Sequence, residues 1–62
     1  MSTPAEESLR RAEELLDRLE QTRARLEATA DPDQAIDVLT ELAEIAKQVE
    51  AEIEQARREA DA

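Results

Sequence analysis

The sequence predicts an all-α fold: an antiparallel, coiled-coil-like hairpin of two helices that completes a bundle by oligomerisation or by binding a partner. Three observations carry that expectation. Ala, Glu, Lys, Leu and Arg supply 39 of the 62 residues, a composition typical of long helices. Apolar residues recur at three- and four-residue spacing through both halves. One strong interruption, Ala30-Asp31-Pro32-Asp33-Gln34, falls at the middle of the chain.

Thr3-Pro4-Ala5-Glu6 opens the first helix. Thr3 is suited to cap it, and Pro4 to the first helical position, where a missing N–H costs nothing. Glu6 sits where a capping box closes. The first helix is expected from about Pro4 to about Thr29, roughly 39 Å long at 1.5 Å per residue. Its apolar residues read as two core rows. One holds Leu9, Leu16 and Ala30, with Arg23 intruding at the same phase; the other holds Ala5, Ala12, Leu19 and Leu26. Leu15 and Thr22 widen the stripe on one flank. Arg23 either lays its stem along the seam or pairs with a carboxylate of a neighbouring helix. On the outer face Glu6–Arg10, Glu7–Arg11 and Glu14–Arg18 fall at i,i+4 in the favourable order.

Pro32 removes a backbone donor and disfavours helix at Asp31, so the first helix must end before it. The same residues start the second helix: Asp31 as cap, Pro32 at the first position, and Gln34 where a capping-box partner belongs. A stop and a start so close together predict a turn at about 30–32 and a chain that folds back. The second helix is expected from about Pro32 to about Ala60. Its rows read as Leu39, Ala46, Ile53 and Ala60 beside Ala35, Leu42, Val49 and Ala56. Ile36, Val38, Ala43 and Ile45 broaden the apolar surface of its first half beyond what one helix covers, which marks a candidate interaction surface. Alternation of large aliphatics with Ala lets helices approach closely. The tail, residues 57–62, is expected to fray.

Twelve large aliphatic residues and a net charge of −9 border on the disordered class, and the regular periodicity decides for helix. Residues 1–30 carry seven acids and five bases, a net −2; residues 31–62 carry ten acids and three bases, a net −7. A basic partner, or the arginines of another copy's first helix, would complement that second half. A lone hairpin buries its aliphatics only partly, so stability is expected to come from self-association or from a partner. The chain lacks Cys, and no apolar run nears the length of a membrane span. Its first residues have no signal-peptide character, so a cytoplasmic location is expected.

Chemistry finds little support. The hydroxyls Ser2, Thr3, Ser8, Thr22, Thr29 and Thr40 have no His to activate them. Thr3 reads as a cap and Ser8 as an ordinary helix-surface residue. The acid pairs Glu50/Glu54 and Glu13/Asp17 lack the His that bundle metal sites use, and read as solvated faces. Arg18, Arg23 and Arg25 are interleaved with acids and no aromatic is present to stack on a base, so direct nucleic-acid contact is not expected. The acidic balance likewise speaks against a membrane-surface helix. The sequence thus predicts no enzyme, no catalytic or metal-binding residue and no cofactor.

One resemblance adds a specific reading. Ala35-Ile36-Asp37-Val38-Leu39-Thr40-Glu41, then Ile45-Ala46-Lys47, Val49-Glu50 and Ile53-Glu54-Gln55-Ala56, resemble the second helix of the exodeoxyribonuclease VII small subunit family. Ala12-Glu13-Glu14-Leu15-Leu16-Asp17-Arg18-Leu19-Glu20 is similar to that family's first helix. Leu39 stands where the family usually has an aromatic, and Leu42 where it has Gly. The resemblance implies a non-catalytic subunit that packs on long helices of a large nuclease acting on single-stranded DNA, with Ile36, Leu39, Leu42, Ile45, Val49 and Ile53 as docking residues. The reading of the residues alone gives an interface of these six with Leu9, Leu16, Leu19 and Leu26. It leaves two other natures open: a self-contained homo-oligomeric four-helix-bundle adaptor or regulator, and a designed or truncated coiled-coil segment.

Overall fold

The computed structural model describes residues 1–61. Helix α1 spans Pro4–Ala28 and helix α2 spans Pro32–Asp61. Cross-helix ion pairs join Arg11 to Glu52 and Arg25 to Glu41, so a later residue of α1 meets an earlier one of α2 and the helices are antiparallel. The molecule extends 47 × 17 × 10 Å, a slab one helix layer thick.

Both helix starts follow the sequence. The Thr3 hydroxyl accepts the Glu6 N–H at 3.1 Å and donates to the Glu6 carboxylate at 3.2 Å. That satisfies one of the N–H groups a helix start leaves unpaired and brings a negative charge to the positive end of the dipole. At α2 the Asp31 carboxylate accepts the Asp33 N–H at 3.0 Å. The expected reciprocal bond from Gln34 is not among the hydrogen bonds of the described residues. Helix α1 stops at Thr29, whose extended backbone (φ −88°, ψ 119°) donates its N–H to Leu26 O while its hydroxyl donates to Arg25 O. Among the described residues no backbone takes a positive φ, which is how a chain without glycine makes this reversal. Helix α2 continues through Asp61, past the expected onset of fraying at Arg57; Ala62, also part of that expected tail, lies outside the described residues.

The seam between the helices is rotated from the expected one. One predicted row of each helix does face the other: Ala5, Ala12, Leu19 and Leu26 on α1, and Ala35, Leu42, Val49 and Ala56 on α2, are all buried or half-buried. The second row lies one residue earlier than predicted. It is Ser8, Leu15, Thr22 and Thr29 on α1, and Val38, Ile45, Glu52 and Glu59 on α2. Leu9, Leu16, Leu39 and Ile53, expected in the core, stand 44–51 % exposed. Ser8, expected on the surface, is 1 % exposed. Its hydroxyl accepts from Arg11 Nη2 at 3.0 Å, and the Thr22 hydroxyl donates to Arg18 O at 2.7 Å. These bonds make small polar residues acceptable in a close-packed seam. Ile45 is the one large apolar side chain that is almost fully enclosed.

Candidate docking face

A hairpin has two flanks, one on each side of its seam. On the first, Arg11, Arg18 and Arg25 of α1 recur every seven residues. Arg11 Nε donates to Glu52 Oε2 at 2.9 Å, and Arg25 donates to the Glu41 carboxylate. The bond to Glu52 raises the Arg11 pKa above its ordinary value. The expected pairs Glu6–Arg10, Glu7–Arg11 and Glu14–Arg18 are not among the ion pairs of the described residues. Arg10 donates instead to Ser2 Oγ at 2.9 Å, and Arg11 reaches across the hairpin. An open depression of about 380 Å³ lies on this flank, lined by Arg11, Glu14, Leu15, Arg18, Gln48, Ala51 and Glu52. Its charges are mixed, and one of its two arginines, Arg11, is already paired with Glu52.

The second flank is apolar. Since ion pairs mark the first, the rows on the far side of the seam share the opposite face: Leu9 and Leu16 from α1, Leu39, half-buried Ala46 and Ile53 from α2, with Ile36 beside them at 60 % exposure. Arg23 interrupts the α1 row. It pairs with neither the other helix nor the seam. Its guanidinium binds Glu20 at 2.6 and 2.9 Å and Glu27 at 2.5 Å on its own helix, folding its charge toward the rim. Those bonds raise the Arg23 pKa, and the same contact holds the Glu20 carboxyl below its ordinary range. The α1 rim of this face is a row of four glutamates, Glu6, Glu13, Glu20 and Glu27. The α2 rim is Ile36, Ala43, Glu50 and Arg57.

The ten residues expected at an interface therefore divide. Leu9, Leu16, Ile36, Leu39 and Ile53 are exposed on the apolar flank and open to a partner. Ile45 and Val49 are buried in the seam, and Leu19, Leu26 and Leu42 are half-buried there. Of the six docking residues implied by the nuclease-subunit resemblance, Ile36, Leu39 and Ile53 are on the open face. Ser8, expected on the surface, and Leu15, Thr22, Val38 and Ile45, expected beside the seam, all prove to be seam residues. The seven-residue recurrence of arginine in α1 carried that information, because it marks the flank that meets the acids and polar residues of α2.

No cluster of His, Cys, Asp and Glu suited to a metal ion occurs among the described residues, and none of their helices is long and apolar enough to cross a membrane. The Ser8, Thr22, Thr29 and Thr40 hydroxyls are engaged by arginine or by backbone carbonyls. Comparison with family models, curated proteins and solved structures found no match to the chain.

Proposed function

We propose that this protein is a non-catalytic protein–protein interaction module acting in the cytoplasm, with the apolar flank of the hairpin as its docking surface. One observation carries the reading. Five large aliphatic side chains are exposed together on one flank, while Ala, Ser and Thr occupy much of the seam. A chain with few large aliphatics that leaves five of them on a single face encodes a second interface. The resemblance of α2 to the exodeoxyribonuclease VII small subunit supports the most specific form, an accessory subunit on the helices of a large nuclease. Ile36, Leu39 and Ile53 would then make the contact.

Affinity purification of the tagged chain from its native host tests that specific form. A large subunit is expected in stoichiometric amount, with single-strand DNase activity in the eluate, and Leu39→Asp is expected to lose both. Recovery of the chain without such a subunit would remove the nuclease reading.

A further inference from the structure

We infer that the occupant of the apolar flank is a second copy of this chain, stacked so that α1 of each copy lies over α2 of the other. The inference rests on the reading of that flank as an interface, and it names a second copy in place of the nuclease helices as what covers Ile36, Leu39 and Ile53. The first argument is size. The broad face of the slab measures 47 by 17 Å, an outline of about 800 Å², so the face as a whole is large enough to hold what each partner of a stable interface typically buries. The second is stability. Only Val38, Ile45 and Val49 among the large aliphatics are buried in the hairpin, and five others on this flank stay 44–60 % exposed. A copy of the same slab covers that surface along its whole length.

Charge then selects the orientation. Arg11 is level with Glu52 and Arg25 with Glu41, which fixes the height of every other residue. When a twofold axis parallel to the helices relates the copies, each helix keeps its height and all neighbours are antiparallel. The α1 rim then meets the α2 rim of the second copy. Glu6 comes level with Arg57, Glu20 with Ala43 and Glu27 with Ile36; Glu13 beside Glu50, once in each of the two equivalent grooves, is the like-charged meeting. Along the stripe Leu9 faces Ile53 and Leu16 faces Ala46. When the axis instead lies across the helices, α1 meets α1. Glu6 then faces Glu27 and Glu13 faces Glu20 on both sides of the axis, so eight carboxylates line one groove. Like charges so placed oppose association. The first stacking is the one the charges allow.

Two copies together still carry twice the charge of −9, spread over the whole surface. Salt screens that mutual repulsion, so association should tighten as salt rises, whereas a basic partner would be released by salt.

Sedimentation equilibrium of the full chain is expected to give twice 7.0 kDa, with a dissociation constant that falls between about 50 and 500 mM NaCl. Leu39→Asp is expected to weaken it by about a hundred-fold, because the aspartate must enter an apolar contact. A mixture of Glu6→Cys and Arg57→Cys chains is expected to give a disulfide-linked heterodimer, and Leu16→Cys alone no linked species. A monomer at every concentration and salt, unchanged by Leu39→Asp, overturns the inference. If a different helical protein then binds the chain and loses it with Leu39→Asp, the docking face stands and only its occupant was misassigned. A covalent dimer from Leu16→Cys alone overturns the orientation.

Discussion

The two flanks of the hairpin use the same seven-residue spacing to opposite ends. On one, arginines of α1 reach the acids of α2, so the charge of the chain is partly satisfied inside the molecule. On the other, Leu9 and Leu16 line up with Leu39 and Ile53 and stand about half exposed. A flank closed by ion pairs adds little stability, since exposed pairs are weak, but it fixes how the helices are rotated. A flank left apolar stores burial free energy for an association event. The difference shows that rotation about the helix axis, rather than the amount of apolar sequence, decides which residues hold the hairpin together and which remain available.

The largest effect is expected where the two flanks share support. Ile45 sits at the middle of α2 in the seam, 1 % exposed. Ile45→Ala removes its buried methylenes and leaves a cavity between rigid helices, at a cost of about 2–5 kcal/mol. For so slender a hairpin that is a large fraction of the total. Circular dichroism at 222 nm should show a large drop in melting temperature or loss of helix, and both flanks should lose their function together. A variant as helical and as heat-stable as the parent would remove Ile45 from the core.

The fold was legible in the sequence because its signals are local. The Pro at each helix start, the Thr3 and Asp31 caps and the central break fix both helices to within a residue or so at each end. The rotation was less legible. Each helix carries three rows with apolar members, and a reading that seeks two picks the most apolar pair. On α2 that pair includes Leu39, Ala46, Ile53 and Ala60, which outranks Val38, Ile45, Glu52 and Glu59 in hydrophobicity. The second row packs all the same, because Arg11 neutralises Glu52 from across the seam and Gln55 donates to Glu59 at 2.7 Å. On α1 Ser8 looks like a surface residue and Thr22 like the edge of the stripe until Arg11 and Arg18 O are seen to take up their hydroxyls. One pairing across the hairpin, Arg11 to Glu52, and three bonds within a helix turn these polar residues into seam residues, which the apolar pattern alone does not contain.

A smaller effect is expected from cutting the charged flank alone. Arg11 ties Glu52 to Ser8, so Arg11→Met keeps most of the side-chain volume while removing the clamp. A modest fall in melting temperature is expected. Glu52→Gln should give a similar fall, and the double variant should be no worse than either single one, the mark of a shared interaction in a double-mutant cycle. Association through the apolar flank should be unchanged, because neither residue faces it. Full additivity of the two substitutions would show that the cross-helix pair contributes nothing.

The smallest effect lies on the rim of the apolar flank, at Glu20. Its carboxyl is held below the ordinary value of 4.5, chiefly by the hydrogen bonds from Arg23. A carboxyl whose folded pKa is depressed contributes stability above its unfolded pKa, and that contribution disappears as pH falls through the folded value. Glu20→Gln should therefore lower the melting temperature slightly at neutral pH, by a fixed amount down to about pH 5, and the gap should close at more acid pH. The overall charge pulls the other way. With a sequence pI near 4.3, the net repulsion of −9 fades over the same acid range and favours compaction and association. Thermal melts of the two proteins in parallel separate the terms, because the global relief is nearly common to both and only the Arg23 pair is lost in one. A gap that widens as the pH falls would contradict the depressed carboxyl and leave Glu27 as the partner that holds Arg23 out of the stripe.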